Sequence, residues 1–438
     1  MSFDKFARTP ISRRTFATGA AAGAAALAFS PMLRAGAQNA TPAAGGTPEA
    51  ELEIFSWWTT AGEAAGLEEL FKAFSEASPS VKVVNAAVAG GAGTNAQVAL
   101  QTRLSANQPP DSWQSHTGAE LKARYVDPGY TQPITELYAA QGWNDVFSKG
   151  VLDQISVNGE KYLVPVGVHR GNGMFYNKKI AADNGIEVKD TWTSDEFFAA
   201  ADKLKAAGIN AVALGSKDTF AVVQLFENTL LGTLGAADYS KIWKGEIGWD
   251  DKRVTDAIER LAKYFDYVNP DHAALTWDGA ADELYAGKSG FMSMGDWMYG
   301  DAVAKKHEDV VAWTNHPSTS GSFVTIIDGF TLPVGTPHPV NSDNWLIAAA
   351  SAKAQAAFAP HKGAIPARND ADTSAFNDYM KWSAASFAKD TVVLSLAHGS
   401  AASPQFGTSI NDAIISFVVD LDVATFRDAL KTAQQDEG

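Results

Sequence analysis

The fold turns on "ELEIFSWWTTAGEAAGLEELFKAFSEASPSVKVVNAAV", residues 51–88. Its opening, "ELEIFSW", is a short apolar run with the length of a strand. "EAAGLEELFKAFSEAS" then places Leu67, Leu70, Phe71 and Phe74 at helical spacing, and Ser78-Pro79 ends the run. "VKVVNAAV" is a second apolar run. Strand, helix and strand in succession make a β-α-β unit, which predicts parallel pairing and an α/β fold. Trp57 and Trp58 stand where the first strand ends, the 59–62 loop is small, and Glu63 opens the helix. Ligands of open α/β sheets collect outside the carboxyl ends of the strands. Two of the largest aromatic side chains are therefore expected where a ligand binds.

The alternation continues outward. A helix is predicted over about 94–107, with Thr94 and Gln97 spaced as a capping box, and Pro109-Pro110-Asp111 stops it before a strand in "SWQSH". Asn158-Gly159 marks a hairpin turn. The run from Tyr162 to Tyr176 is too long for one ordinary strand, and glycines interrupt it at 167, 171 and 173. A second alternating region follows: a helix capped by Thr193 and Glu196, a strand in "INAVALG", and helices near 219–232 and 251–267. "TWDGAADELYAGKSGFMSMGDWMYGDAVAKK" reads helix, strand, glycine-led turn and helix. "FVTIIDGFTLPV" is extended, a helix is expected near 342–357, and the end of the chain is mostly helical. Two α/β lobes result, with extended segments near 163–176 and 324–333 crossing between them. Two crossings make the lobes discontinuous and the cleft hinged. The expected division is 51–168 with 328–366 as lobe 1, and 169–327 with 367–438 as lobe 2.

Bulk properties agree with two domains, since 438 residues exceed one ordinary core. A net charge of -15 works against nucleic acid or anionic membrane as a partner, because both require clustered Lys and Arg. The absence of cysteine excludes disulfides, thiolate metal sites, cysteine nucleophiles and lipid attachment through cysteine. "SRRTFATGAAAGAAALAFSPMLRAGAQ" reads as an export signal over 1–37, with Arg13-Arg14 in a twin-arginine context and a small-x-small site at Ala35-Gly36-Ala37. Residues 38–50 read as a flexible tether. The expected product is exported to the periplasm or cell exterior, either soluble or held by an uncleaved signal anchor.

A sugar ring has C–H groups on its faces and hydroxyls around its rim, so a sugar site needs aromatic walls and planar or charged polar partners. Several strand ends and crossings supply both. Trp57, Trp58 and Glu63 follow the first strand; Gln114 and His116 end a later one; Trp277 starts a helix; Trp297 lies in the glycine-led turn; Asp328 lies on the second crossing; Lys362 and His398 sit in later loops. His169, Asn172 and Asp296 are a second tier. Each has a plainer reading: core packing for one of the paired tryptophans, a helix-dipole role for Glu63, an N-cap for Asp296, and satisfied or solvated roles for the histidines and Lys362. Paired carboxylates also leave a glycosidase open, although their separation is not a sequence property. No HExxH, P-loop or GxSxG occurs, and neither metal nor cofactor is expected. "AGGAGTN" (89–95) precedes a helix but lacks the P-loop lysine; it reads as a loop that lets backbone approach a ligand or the other lobe.

The motifs "PPDSWQSHTG", "YLVPVGVHRGNGMFYNK", "FMSMGDWMYGD", "DGFTLPVGT" and "KGAIPAR" resemble landmarks of the extracellular solute-binding proteins of ABC sugar importers, the maltose-binding-protein-like group. "IFSWWT", "VNAAVAGGAGTNAQVALQTRL", "ALTW", "PHKGAIPAR" and "LAHG" are similar to its glucose-binding branch. The resemblance implies a type II periplasmic-binding-protein fold that captures a monosaccharide, glucose or a close epimer, and delivers it to a membrane permease with its ATPase. It implies a monomer without catalysis. The residues that would hold the sugar are Trp57, Trp58, Glu63, Gln114, His116, Trp277, Trp297, Asp328, Lys362 and His398. A binding protein for a disaccharide or polyol, an exported glycoside hydrolase and a surface adhesin are the alternatives. Many relatives are lipid-anchored through cysteine, and this chain departs from them in having none.

Overall fold

The computed structural model describes residues 49–90 and 93–435. The expected export signal, and the tether as far as residue 48, lie outside the described residues. No helix among the described residues is long and apolar enough to cross a membrane.

Thirteen strands run through the described residues in chain order: β1 (Glu51–Phe55), β2 (Lys82–Asn85), β3 (Ser112–His116), β4 (Ser156–Val157), β5 (Glu160–Lys161), β6 (Leu163–Arg170), β7 (Gly173–Asn177), β8 (Asn210–Val212), β9 (Ser289–Met294), β10 (Val311–Asn315), β11 (Ser322–Thr331), β12 (Ile365–Pro366) and β13 (Thr391–Leu394). They form two main sheets. The larger has the order β12-β6-β11-β3-β1-β2, with β13 also paired to β11. The smaller has the order β10-β7-β9-β8. This is the two-lobed architecture expected from the alternation of strands and helices.

The opening β-α-β unit forms as read. β1 pairs in parallel with β2 and with β3. The helix Ala61–Ala77 buries Leu67, Leu70, Phe71 and Phe74, and Phe71 and Phe74 meet Trp345 at ring-centroid distances of 5.6 and 6.2 Å. The parallel rule does not extend across the sheet: β11 runs antiparallel to β3 and β6, because it returns from the small sheet. Two helix expectations also change. Gly93, at φ +100°, caps the helix Thr94–Ser105, so Thr94 is its first residue rather than its N-cap. The single helix expected near 342–357 is two, Pro339–Ala349 and Ala352–Lys362, because the Ser351 side chain caps Ala354 N–H and starts a new helix. The capping box at Thr193 and Glu196 is present with both reciprocal bonds.

The chain passes between the sheets at 171–172, after β6, and again at 316–321, before β11. The two passages are bound to each other. Gly171 N–H donates to Val324 O (2.8 Å) and His316 N–H to Asn172 O (2.9 Å). The buried Asn172 side chain donates to Thr319 Oγ1 (3.0 Å) and Ser322 O (2.9 Å), and its oxygen accepts Val324 N–H (3.1 Å). Beside it the buried Arg170 guanidinium lies 4.2 Å from the Trp382 ring centroid and 5.0 Å from that of Phe323. Irregular backbone can be buried here because side-chain amides satisfy its polar groups.

Removing the Asn172 amide strands the Val324 N–H in a dry interior, at about 1–3 kcal/mol, and leaves the Ser322 carbonyl with the Arg170 Nη2 donor at 3.3 Å. Asn172→Ala is therefore expected to lower the urea-unfolding free energy by about 1–3 kcal/mol. A loss within about 0.5 kcal/mol would mean that Asn172 is not what holds the passages together.

Candidate functional site

Period-two alternation on three neighbouring strands builds the floor of a cleft. On β3, Gln114 and His116 share one face and Trp113 takes the other, where it is buried against Tyr125. On β11, Ile326 and Asp328 share a face. Asp328 stands directly across from His116, and Phe330 from Gln114. On β6, His169 is opposite Ile326 and Gly167 opposite Asp328, next to a register shift between Asp328 and Gly329. Such irregularities re-aim side chains next to functional sites.

The cleft has a volume of about 320 Å³ and takes residues from both sheets' surroundings. Aromatic rings form its walls. Trp57 packs on His116 at 5.0 Å, His398 meets His116 edge-on at 5.3 Å, and Trp297 packs on His398 at 5.0 Å. Two glycines make these poses available. A Cβ on Gly93 would lie 2.9 Å from the Trp57 ring, and one on Gly295 would lie 2.2 Å from the Trp297 ring. Gly90 and Gly93 also line the cleft, so backbone at these two positions reaches the cavity and, at Gly93, the Trp57 ring.

The polar groups form an ordered charge network. Gln114 Nε2–H donates to Asp328 Oδ1 at 2.9 Å, while its Oε1 accepts Trp57 N–H at 3.2 Å. His116 Nε2 stands 3.6 Å from Asp328 Oδ1, and its Nδ1 stands 3.3 Å from Glu120. His169 Nε2 stands 3.2 Å from Asp328 Oδ2, and its Nδ1 stands 2.5 Å from Asp296 Oδ1. Burial alone would push His169 down, but Asp296 and Asp328 raise it to about 9. Burial works against the Asp328 carboxylate too, yet the histidines and Lys362 hold it below the ordinary carboxylate range. His116 is raised because Glu120 outweighs its burial. Burial and then the nearby His116 hold His398 far below the ordinary imidazole range. Lys362 Nζ donates to Glu63 Oε1 at 2.6 Å and lies over the rings of Trp58 and Trp297 at 5.3 and 5.7 Å.

Of the ten residues singled out from sequence, eight line this cleft: Trp57, Glu63, His116, Trp277, Trp297, Asp328, Lys362 and His398. Trp58 and Gln114 stand behind it. Trp58 is buried against Phe330 and Phe358, and Gln114 braces Asp328 and Trp57. The pair at the end of β1 thus divides, with Trp57 toward the cavity and Trp58 in the core. Asp296 occupies the N-cap position of the helix Trp297–Ala304, but its carboxylate binds His169 and the Arg170 N–H instead of capping. Asn172 belongs to the passage between the sheets. The cleft also includes Asp218, Phe220, Thr276 and Asp278, which sequence reasoning missed. Asp218 and Phe220 flank the start of the helix Phe220–Leu234, and Asp278 lies in the first turn of Trp277–Tyr285. The strand-to-helix rule that nominated Trp57 applies equally to the loop after β8, and would have found the first two.

Residues 57–356 match the family model described as bacterial extracellular solute-binding protein. A Pyrococcus horikoshii protein named as an uncharacterized ABC transporter extracellular-binding protein is 36% identical over 391 residues, covering 88% of this chain and 86% of its own. A probable sugar-binding periplasmic protein of Brucella melitensis is 29% identical over 385 residues, covering 85% of this chain and 89% of its own. Among solved structures, the bacterial solute receptor AcbH, described as having an exclusive preference for β-D-galactopyranose, superimposes with a TM-score of 0.79 at 20% identity. That match covers 89% of this chain and 98% of the receptor.

The network sets a pH dependence with a definite sign. The folded His169 pKa of about 9 lies above the roughly 6.5 of an unfolded histidine. Its stabilisation is therefore complete below about pH 6.5 and is lost as pH rises through about 9. Asp328 has the opposite sign: its contribution is present above about pH 3.9 and is lost only as pH falls through its lowered value. Urea unfolding at pH 6 and at pH 9.5 is expected to show a larger alkaline loss for the wild type than for His169→Gln. Equal losses in the two proteins would remove His169 from the network.

Proposed function

The chain belongs to the bacterial extracellular solute-binding proteins, receptors rather than enzymes, and on that premise we propose that it captures a monosaccharide for an ABC importer. The proposed ligand is glucose or a close epimer such as galactose or mannose. The observation that carries this reading is the cleft's division of labour. Trp57, Trp297 and Trp277 provide flat apolar faces, while Asp328, Lys362, Glu63, His116 and His398 surround them with fixed donors and acceptors. A pyranose needs both kinds of surface, and one left without a partner for a rim hydroxyl loses about 1–3 kcal/mol. The volume of about 320 Å³ is at the small end for ligand pockets, which supports a single ring over an oligosaccharide.

Capture proceeds by hinge closure of the lobe around the large sheet on the lobe around the small sheet, about the passages at 171–172 and 316–321 rather than about breaks at 168 and 327, followed by docking of the closed form on a membrane permease whose ATPase supplies the energy. Export by the twin-arginine signal places the receptor outside the cell membrane. The glycosidase alternative finds little support in the carboxylates. Glu63 is paired with Lys362, Asp296 with His169, and Asp328 is held ionised among donors. A general acid needs a raised pKa and an unengaged proton.

Titration calorimetry against glucose, galactose, mannose and maltose is expected to give tight monosaccharide binding with no release of reducing ends. Trp57→Ala is expected to weaken glucose binding by a factor of about 100 or more, from lost ring stacking and apolar contact. Trp58→Ala is expected to act chiefly on stability, by about 3–5 kcal/mol, as a core truncation. If Trp58→Ala rather than Trp57→Ala proved to be the binding mutant, the assignment of the cleft wall would fall. Exclusive maltose binding would favour a disaccharide receptor.

A further inference from the structure

Glu227 is wholly buried in the middle of the helix Phe220–Leu234 and is not among the residues lining the cleft. Its carboxylate faces Ser395, whose Oγ lies 2.9 Å from Oε2 and 3.2 Å from Oε1, and it accepts Ala397 N–H at 3.0 Å. The same Ser395 Oγ lies 3.2 Å from Nδ1 of His398, which lines the cleft, and accepts the His398 backbone N–H at 3.2 Å. Glu227, Ser395 and His398 therefore form a continuous chain from the interior to the cavity wall.

A hydroxyl has one proton to donate and two lone pairs. One lone pair of Ser395 is taken by the His398 backbone N–H. Only two arrangements then fill the hydroxyl completely. When Glu227 is ionised, Ser395 donates to it, and the second lone pair must take a proton from His398 Nδ1–H. Nε2 is then bare and accepts. When Glu227 is protonated, its O–H donates to Ser395, Ser395 donates to Nδ1, and the ring proton sits on Nε2. In the mixed arrangements two lone pairs face each other at 3.2 Å, or a donor is left without an acceptor.

We propose that Glu227 and Ser395 act as positioning residues, forming a buried relay that selects the tautomer of His398 and so decides whether it offers the cleft ligand a hydrogen-bond acceptor or a donor. Only the consequence for binding rests on the sugar-receptor reading; the coupling of the three side chains does not. The surroundings keep the switch confined to tautomers. The other ionisable groups acting on His398 are His116 on β3, Asp328 on β11, His169 on β6 and Lys362 at the end of Ala352–Lys362, and burial with His116 keeps the ring neutral. Facing Glu227, Tyr239 of the helix Ala236–Ile242 is a neutral phenol donating to Leu394 O at 3.0 Å. Burial, opposed by the Ala397 and Ser395 bonds, raises Glu227 to about 7, so both states of the relay are populated near neutrality.

The test is long-range proton–nitrogen correlation of [15N]histidine-labelled protein at pH 6 and pH 8, with His398 identified by its loss in His398→Gln. The wild type is expected to pass from Nε2–H at pH 6 to Nδ1–H at pH 8 without ring protonation. Glu227→Gln is expected to hold one and the same tautomer at both pH values, because its amide does not titrate and cannot change the direction of the Ser395 hydroxyl. Ser395→Ala is expected to abolish the switch. Calorimetry with glucose should show an affinity change of about three- to tenfold between the two pH values in the wild type, and none in Glu227→Gln. A His398 tautomer that is unchanged between pH 6 and pH 8 in the wild type, or that still switches in Glu227→Gln, overturns the relay. A wild type that binds no monosaccharide overturns the sugar-receptor reading instead and leaves the tautomer result standing.

Discussion

An ionised carboxylate in a dry interior is the constraint around which this molecule is arranged. Asp328 is buried at the centre of the longest strand, and a buried charge persists only if donors surround it. Gln114 donates to it, and the His116 and His169 imidazoles, both raised in pKa, stand 3.6 and 3.2 Å from it on the two neighbouring strands. Each of these must be braced in turn. Gln114 takes the Trp57 N–H, His116 leans on Glu120, and His169 leans on Asp296, which also takes the Arg170 N–H. The demand of one carboxylate thus fixes the end of β1, the start of the 119–121 helix and the turn after β9. The aromatic walls are attached to those same positions, so the shape of the cleft follows from satisfying the charge.

The same network limits the chemistry available. A general acid must hold a proton it can give up, and a nucleophile must be free of strong donors. The cleft's innermost acids are engaged with cations or amide donors, and His398 is a neutral ring. Such a site presents fixed hydrogen-bonding directions to a ligand and leaves its bonds intact, as a receptor requires. Asp218 and Asp278 lie at the start of helices and half-exposed, where water competes for their hydrogen bonds. Their contribution to a bound ligand is weaker per contact than that of the buried donors.

What could be read beforehand follows from how local each signal is. The β-α-β unit rests on periodicity within 38 residues, and the helix Ala61–Ala77 buries the four residues its spacing picks out. Strand-end position was enough to nominate Trp57, His116 and Asp328. It could not separate Trp57 from Trp58, since a slip of one residue exchanges the faces of a strand. The register of β1 is set by its pairing with β2 and with β3, the second more than 50 residues along the chain. Gln114 was chosen for its place at a strand end, but its side chain meets Asp328, 214 residues away, before any ligand. Asp218 falls under the same strand-to-helix rule, in the loop after β8, whereas Asp278 depends on how its helix sits against the large sheet, which no local pattern encodes. Glu227 did leave a trace: it is a single acid in "FAVVQLFENTLL", a helix apolar on every side. Such an acid must be paired or neutral.

The two passages between the sheets bear on how the proposed closure would distribute binding energy. They are hydrogen-bonded to each other through Gly171, Asn172, His316 and Val324, so they move as one bracket. Rotation about a bracket displaces atoms in proportion to their distance from it. Asp296 and His169 adjoin it, Asp296 through the Arg170 N–H and His169 as the neighbouring residue, so their pairing changes little as the cleft opens. Trp277, Asp278 and Asp218 enter the cleft from helix starts beside the small sheet, outside that bracket, and under the proposed closure their distances to Trp57 and Glu63 would change more. Under that proposal the buried charge network would be common to open and closed forms and would contribute little to the difference between them. A ligand can favour closure only through groups it meets differently in the two states. In the proposed receptor those groups would be the aromatic and carboxylate residues of the rim, with Asp328 and the groups around it as the floor on which the ligand is oriented.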